Sequence, residues 1–324
     1  MEITDGLINA YLIDGKGGGT QVDWSGIREW KPENKPIWVH LDFTDPVAQR
    51  WLLEESGLER IVADALIADE TRPRCEVIGN NMLISLRGVN TNPGADPEDM
   101  VSIRIFCDGQ RIITTRRRRL LSIRDITGSL DAGTGPQNTG ELIADLAQRL
   151  IERMSQVITD LDDRIDALEE EVLTGAGREL QHDLLELRRE MLKLRRYLSP
   201  QRDALSQIQA SKCEWLSSND RIQIREANNK VIRYLEDLDS AKDRASVAHE
   251  AISNHLAEEM NSRMYVLSLV AALFLPLGFL TGLLGINVGG IPLADDPRGF
   301  IEIVVILVVL VVIQVFIFMR KKWF

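Results

Sequence analysis

Cysteine and histidine are scarce in this 324-residue sequence, which contains three cysteines and four histidines. Cys75, Cys107 and Cys213 are far apart and form no Cys-x-x-Cys pair, so we expect buried, reduced thiols rather than a disulfide framework. His249 and His255 are six residues apart, a spacing that does not put them on one helix face and that disfavours a two-histidine metal site. No Ser/His/Asp or Cys/His arrangement is present, and we predict neither an enzyme nor a bound cofactor.

A surplus of basic residues is also absent, since the net charge is -11. This balance argues against nucleic-acid binding and is compatible with attraction of cations. The glycine-rich residues 15–19 lack the GxxxxGK[ST] pattern of a phosphate-binding loop, so we interpret them as a hairpin turn and predict no nucleotide. The segment after Met1 has no basic stretch followed by an apolar one, which predicts no signal peptide and places the N-terminal region in the cytoplasm.

Two long apolar runs, residues 265–284 and 301–319, dominate the last quarter of the chain. Each has about 20 residues, the length of helix that crosses a bilayer core of about 30 Å. A buried helix of a soluble core is the alternative, and runs of this length with so few charges disfavour it. Arg263 precedes the first run and basic residues 320–322 follow the second, so the excess of positive charge predicts a multi-pass protein with both termini in the cytoplasm.

Small or apolar side chains recur along the first apolar run at steps of three and four residues. This stripe consists of Asn261, Met264, Leu267, Ala271, Leu275, Gly278, Gly282 and Gly285. Two helices cannot enclose a polar path, so the stripe either lines a pore between several copies of the chain or packs within one hairpin. Asn287 favours the pore, because a ring of carboxamides offers oxygen atoms to the water shell of a cation without binding it tightly.

Glu302 is the only carboxylate within the two apolar runs. Ionisable groups in membrane spans are often functional, so a role as proton relay is one interpretation. Simple solvation near the membrane surface is the other, and it is the one we prefer.

The region before the apolar runs changes from mixed to helical character. We predict an α/β domain with hairpins around residues 79–81 and 108–109, a linker at 127–138, and amphipathic helices beyond it. A helix from about Glu179 is expected to end or kink near Leu198, because Pro200 follows. A further helix should run from about Asp220 into the first span, because no proline or glycine occurs before Pro276.

These patterns divide the chain into seven segments. They are a cytoplasmic α/β domain (1–131), a cytoplasmic helical region (132–219), a stalk helix (220–263), a first transmembrane helix (264–287), a periplasmic loop (288–299), a second transmembrane helix (300–320) and a cytoplasmic tail (321–324).

Two charged tracts in the first part of the chain leave alternatives open. The acidic tract contains Asp160, Asp162, Asp163, Asp166, Glu169, Glu170 and Glu171. It is either a solvated helix face, which we favour, or a means of concentrating divalent cations. The basic run of residues 116–119 either contacts acidic lipid or acidic helices, or is a solvated strand end.

The tripeptide Gly285-Ile286-Asn287, preceded by residues 261–267 and 274–277, resembles the CorA family of divalent-cation transporters. The loop of residues 285–292, together with residues 71–74, 135–136 and 195–203, is more similar to the zinc-transporting ZntB branch of that family. The resemblance implies a funnel-shaped homopentamer in the bacterial inner membrane, with a cytoplasmic α/β domain, long stalk helices and a two-helix transmembrane hairpin. Membrane lipid and divalent cations are then its other partners.

The resemblance also implies roles for particular residues. Asn287 would meet the hydrated ion at the periplasmic mouth, Gly285 would allow the close turn, and Met264 and Leu267 match the family's hydrophobic constriction. Ile286 departs from the methionine that is usual in the magnesium branch. The implied cargo is Zn²⁺, with Co²⁺, Ni²⁺ and Cd²⁺ also considered. Coupling to a proton gradient is expected, and the resemblance leaves both zinc export and proton-coupled import open.

The residues themselves do not choose among cations. Zinc prefers Cys, His or carboxylate ligands, and the stripe has none of these, so no fixed metal site is predicted. A Mg²⁺/Co²⁺ channel of the CorA type is therefore an alternative. A membrane-anchored sensor or scaffold, whose hairpin serves only as an anchor, is a further one.

Overall fold

A computed structural model describes residues 5–69, 71–175, 178–286 and 297–320. The chain divides into two compact units, Met1–His249 and Glu250–Phe324. The first unit contains a seven-stranded sheet with its covering helices, and the second contains two long apolar helical segments. The predicted combination of an α/β domain, a long helix and two apolar C-terminal helices is confirmed.

The sheet of the first unit has the strand order β2-β1-β3-β7-β6-β5-β4. Its strands are β1 (Leu7–Ile13), β2 (Gly19–Gln21), β3 (Ile37–Asp42), β4 (Arg74–Ile78), β5 (Asn81–Gly88), β6 (Val101–Cys107) and β7 (Arg111–Arg116). The central pair β3 and β7 is parallel, and every other pair is antiparallel. Both hairpins predicted from the sequence are therefore present, with β4–β5 and β6–β7 as their strands.

Glycines allow the tight turns of these hairpins. Gly79 follows β4 with φ +63° and Gly109 follows β6 with φ +91°, a region of backbone conformation that other residues rarely adopt. The glycine-rich residues 15–18 connect β1 to the antiparallel β2, as predicted. Asp14 closes that turn, since its Oδ1 accepts hydrogen bonds from the amides of Lys16 (2.7 Å) and Gly18 (2.9 Å), which lower its pKa.

The side chains of the central strands are largely apolar on both faces of the sheet. Helices cover the sheet for this reason. Helices α1 (Trp24–Glu29), α2 (Pro46–Arg50) and α3 (Arg60–Ile67) bury Ile27, Ala48 and Leu66 against one core, and α2 continues as a π-helical turn to Glu55. The remaining helices of the first unit begin with α4 (Leu121–Asp131).

Four long helices follow, and one of them differs from the sequence prediction. They are α5 (Thr139–Gly175), α6 (Arg178–Ala210), α7 (Ser218–Leu284) and α8 (Gly299–Arg320). The helix expected to end near Leu198 runs on to Ala210 through Pro200. Proline removes one backbone hydrogen bond, but Leu205 and Ile208 are fully buried, so tertiary packing stabilises the turns beyond it.

The linker predicted at 127–138 is shorter than expected, because α4 includes its first five residues. Ile126 and Leu130 are buried on this helix. The apolar spacing outweighs the low helix propensity of Gly128. Only residues 132–138 lie between α4 and α5.

The three cysteines are free and buried, as predicted. Burial raises the pKa of Cys75 to about 12, so this thiol stays protonated at neutral pH. His40 is also fully buried, with Nδ1 2.8 Å from the Thr114 hydroxyl on the adjacent strand. Burial and the nearby Arg116 lower the pKa of His40 to about 3, so the imidazole is neutral.

The acidic tract on α5 is partly neutralised, because Arg244 of α7 binds three of its members. The guanidinium contacts Asp162 at 3.0 Å and Glu169 at 3.2 Å, and it also binds Asp166. These bonds raise the pKa of Arg244. The preferred interpretation, a solvated face, agrees with the exposure of Asp162 (59%) and Asp166 (62%), whereas Glu169 is half-buried.

The basic run of residues 116–119 is divided between the interior and the surface. Arg116 ends β7 and is buried, whereas the next three arginines are exposed. Arg117 lies 3.6 Å from Asp69. A solvated strand end therefore describes residues 117–119 but not Arg116.

Candidate functional site

The predicted stripe lies on the part of α7 that belongs to the second unit. An α-helix turns 100° per residue, so Met264, Leu267, Ala271, Leu275, Gly278 and Gly282 fall within an arc of about 80°. Asn261 lies outside this arc, about 80° from its centre. The stripe is thus one continuous face, with Asn261 at its edge.

All members of the stripe are exposed in the single chain. The exposed fractions are 58% for Met264, 63% for Leu267 and 76% for Leu275. Each is far above what an apolar side chain of a soluble core shows. The stripe therefore requires an apolar environment, or neighbours from outside this chain.

The opposite face of α7 is partly covered. The half-buried residues are Leu269, Ala272, Leu273, Pro276, Leu277, Leu280 and Leu284. Their mean direction is about 180° from that of the stripe. Helix α8 also has one half-buried face, formed by Ile303, Leu307, Leu310, Val311, Gln314, Val315 and Phe318. These two faces indicate the sides on which the helices of a hairpin pack, with the stripe turned away.

Near the C-terminal end of α7, two residues of the stripe are glycines and have no side chain. A Cβ atom added to Gly278 or Gly282 would meet no atom within 4 Å. Neither glycine is therefore required by packing or backbone conformation within the chain. Small residues at this spacing allow close approach of a second helix in lipid.

The end of α7 is closed by its own backbone. The amide of Gly285 donates to the carbonyls of Thr281 (3.0 Å) and Gly282 (3.2 Å). The Thr281 hydroxyl donates back to Leu277 at 3.0 Å, so this polar side chain is satisfied inside the helix. Ile286 follows and is 47% exposed. Asn287, the predicted ion-contacting residue, lies outside the described residues, as do 288–296 and 321–324.

Glu302 lies in the first turn of α8 and is exposed. Its amide donates to the carbonyl of Arg298 at 3.1 Å. A carboxylate in this position interacts favourably with the positive end of the helix dipole. That placement is compatible with both roles considered for Glu302, solvation and proton relay.

Gln314 is a polar residue of α8 that the sequence interpretation missed. It is half-buried on the covered face, and its side-chain oxygen has no hydrogen-bond partner in the described part of the chain. Its presence as the single amide in an apolar run was a usable signal. Buried amides in membrane helices commonly bond to neighbouring helices.

No group of three or more His, Cys, Asp or Glu side chains that could hold a metal ion occurs among residues 5–69, 71–175, 178–286 and 297–320. Both α7 and α8 contain a segment long and apolar enough to cross a membrane. A cluster of fixed ligands is thus missing from the described residues, and the exposed stripe on a spanning helix remains as the candidate site. These features define a membrane protein with a soluble α/β unit.

Comparison with known proteins identifies the family. The sequence profile of the family described as "CorA-like Mg2+ transporter protein" matches residues 33–321. The chain is 42% identical to the divalent cation transporter CmaX of Pseudomonas aeruginosa, over 98% of this chain and 97% of the relative. It is 38% identical to the zinc transport protein ZntB of Pectobacterium carotovorum, over 98% and 96%.

Solved structures agree with this assignment. The full-length CmaX structure matches 98% of each chain with a TM-score of 0.85 and 41% identity. The CorA magnesium transporter of Methanocaldococcus jannaschii matches 98% of this chain and 99% of its own with a TM-score of 0.81, but at 19% identity it shows the fold alone. The chain belongs to the CorA-like transporter family. It is a divalent-cation transporter and not an enzyme, which confirms those two predictions.

Proposed function

We propose that this protein transports Zn²⁺ across the bacterial inner membrane, through a pore lined by the α7 stripe of five identical copies. Both termini lie in the cytoplasm in this arrangement, and the loop after α7 faces the periplasm. The assignment to Zn²⁺ is supported by relatives named zinc transport protein, including the ZntB of Yersinia enterocolitica at 36% identity over 100% of this chain. Co²⁺, Ni²⁺ and Cd²⁺ are further candidate cargoes.

The observation that carries the proposal is the orientation of the stripe. The face of α7 opposite the stripe is half-buried, whereas Met264, Leu267 and Leu275 are more than half exposed. A hairpin of two helices cannot enclose a path for an ion, so the lining has to come from several copies. Placing the stripes together around one axis covers the exposed apolar surface and leaves a passage between them.

The side chains of the stripe favour passage of a cation over tight binding of it. Glycine, alanine, leucine and methionine offer no tight ligand to Zn²⁺, so the ion keeps most of its water shell. Met264 and Leu267 then act as a hydrophobic constriction that gates by excluding water. Asn287 contacts the hydrated ion at the mouth through its side-chain carbonyl, next to Gly285 and Ile286.

Proton coupling belongs to this proposal, and Glu302 is its candidate relay. The exposed position of Glu302 at the start of α8 equally supports a role limited to solvation. Flux measurements with and without a proton gradient distinguish the two roles.

A Mg²⁺/Co²⁺ channel is the second candidate function. It is favoured by the description of the matching family, which names Mg²⁺. Mg²⁺ also holds its water shell firmly, so a passage without fixed ligands suits it as well. The two candidates share the pore and differ in the ion that passes and in proton coupling.

The test is uptake of Zn²⁺ and of Mg²⁺ by liposomes containing the purified protein, with and without an imposed proton gradient. We expect Zn²⁺ uptake that increases with the gradient. Mg²⁺ uptake that is indifferent to pH would instead establish the second candidate. No flux of either ion, together with a monomer in detergent, would favour a membrane-anchored sensor.

The same assay tests Asn287. Replacement Asn287→Ala removes the carbonyl that meets the ion, and we expect at least a tenfold loss of flux with the oligomer intact. The matched control is Asn219→Ala, which makes the same chemical change at an exposed position near the start of α7. Normal transport by Asn287→Ala would remove this residue from the mechanism.

A further inference from the structure

A cleft in the first unit carries an excess of positive charge, although the whole chain has a net charge of -11. It has a volume of about 430 Å³. Five cationic side chains line it: Arg87, Arg117, Arg118, Lys193 and Arg196. Three carboxylates share the lining, so the cations are in the majority. The cleft brings together β5, the end of β7 and the middle of α6.

Arg87 is held in place and forms a fixed wall of the cleft. Its Nη1 donates to the carbonyl of Met100 at 2.7 Å and its Nη2 to that of Thr71 at 2.8 Å. The guanidinium also stacks on the ring of Tyr197, 3.9 Å from its centre. Gln201 fixes the backbone of Arg87 through hydrogen bonds of 2.7 and 2.9 Å. The charge of Arg87 is therefore preorganised, and its own donors are used by the protein.

A second, deeper arginine adds to the positive charge. Arg104 is 1% exposed, and its Nη2 donates at 3.0 Å to the carbonyl of Asp69, a residue of the cleft wall. Its Nε and Nη1 have no hydrogen-bond partner in the part of the chain that the structure describes. Burial and the nearby Arg87 lower the pKa of Arg104 to about 10, so it remains cationic at neutral pH. Two fixed cations thus lie at this end of the sheet.

The carboxylates of the cleft compensate these charges only in part. Lys193 lies 3.4 Å from Glu98, and Arg117 lies 3.6 Å from Asp69. Lys193 and both groups of the Arg117 pair are more than half exposed, and such pairs contribute little and rearrange easily. Arg118 and Arg196 make no ion pair with any described residue, and both are exposed at the cleft. These two guanidinium groups are available to an incoming anion.

We infer that this cleft binds a small phosphate-bearing anion from solution, with Arg118 and Arg196 as its direct ligands and Arg87 as a fixed electrostatic wall. A guanidinium group presents paired N–H donors that match the oxygen atoms of a phosphoryl group. A ligand with two phosphoryl groups offers one to each free arginine. This site is separate from the proposed transport path and does not depend on it.

The experiment is a calorimetric titration of the full-length protein in detergent with sodium pyrophosphate, at constant ionic strength maintained by sodium chloride. We expect saturable binding. The double variant Arg118→Ala/Arg196→Ala should weaken it about tenfold or more, because two charge-assisted contacts are lost. The matched control is Arg119→Ala/Arg189→Ala, which removes the same charge from exposed arginines that do not line the cleft. It should leave the affinity within about twofold of that of the unmodified protein, since long-range charge effects are screened.

Three results would overturn the inference. The first is heat of the same size when chloride replaces pyrophosphate, and the second is an equal loss of affinity in the two double variants. The third is unchanged affinity in Arg118→Ala/Arg196→Ala when its thermal unfolding matches that of the unmodified protein. Zinc flux is measured separately, so failure of the anion site and failure of the transport proposal are distinguishable.

Discussion

The two units of the chain differ in where their apolar side chains lie. In the first unit Trp38, Leu52 and Ile105 are fully buried, and the chain covers its own core. In the second unit Leu275 is 76% and Phe300 80% exposed, on helices that are just as regular. The first unit can fold in water by the burial of its own apolar surface. The second needs a solvent or a partner that the chain does not supply.

The same difference appears within α7. Near Arg244 the helix is fixed to α5 by ion pairs, and further along it presents one half-covered and one exposed face. The exposed face contains the residues proposed to line the pore. Substitutions on α7 should therefore affect stability or transport according to the face and the unit in which they lie.

The largest effect is expected from Gly282→Leu. A Cβ atom added at this position meets nothing within 4 Å in the single chain, and leucine has a higher helix propensity than glycine. If several stripes surround a passage, leucine fills it, and zinc flux in liposomes should fall at least tenfold without loss of protein stability. The control is Gly128→Leu in α4, where an added Cβ atom also meets no atom within 4 Å. Full transport by Gly282→Leu would contradict a pore lined by this face.

Leucine-to-alanine substitutions on the two faces of α7 compare the exposed stripe with the half-buried face. Leu267→Ala widens the proposed constriction, and we expect a several-fold higher resting leak of Zn²⁺ from loaded liposomes. Leu269→Ala lies on the half-buried face. It should leave the leak unchanged and lower the thermal stability in detergent. Equal leaks in the two variants would mean that Leu267 is a packing residue.

The buried His40 predicts acid sensitivity that is confined to the first unit. Its pKa in the folded protein is about 3, well below the ordinary value of 6.5, so only the unfolded chain takes up the proton as the pH falls through 6.5. The free energy of unfolding is therefore highest above pH 6.5. It falls below that pH, by about 2 kcal/mol at pH 5.

Unfolding free energies of His40→Gln at pH 7.5 and 5.0 measure this effect. The variant should show a smaller loss between the two pH values than the unmodified protein. His182→Gln, at an exposed position on α6, should keep the full loss. An unchanged pH dependence in His40→Gln would show that His40 does not carry the effect.

The smallest effect is expected from Arg244→Ala. The change removes one guanidinium from Asp162, Asp166 and Glu169, which leaves three neighbouring carboxylates uncompensated. The site is partly exposed, so we expect a loss of about 1 kcal/mol that decreases as salt is added. Arg263→Ala, which breaks the exposed pair with Glu259, is the control and should have no measurable effect. A loss that does not depend on salt would indicate packing rather than charge.

The sheet and the long helices were predictable from local sequence. Alternation of apolar residues and the turn glycines define β4 to β7, and the uninterrupted run after Asp220 defines α7. The angular position of the stripe also follows from spacing alone, since α7 is a regular helix over its whole length. Spacing did not reveal which face is covered, because that depends on the neighbouring helix.

The sequence predictions failed where contacts between residues far apart in the sequence determine the structure. Pro200 predicts a helix end, but the turns after it are retained by burial of Leu205 and Ile208. Arg244 and the acidic tract are more than 70 residues apart in sequence, so their pairing was not visible from either segment. The basic cleft was missed for the same reason, since β5, β7 and α6 contribute one part each.

The parallel pairing of β3 with β7 also bears on the order of events during synthesis. The sheet cannot close until Arg116, the last residue of β7, has been made. About 150 further residues then precede Met264, and at about 5–20 residues per second their synthesis takes about 7–30 s. Small domains fold within microseconds to seconds, so the sheet has time to form before the first apolar run is complete. The membrane insertion machinery would then receive that run from a chain whose sheet has already folded.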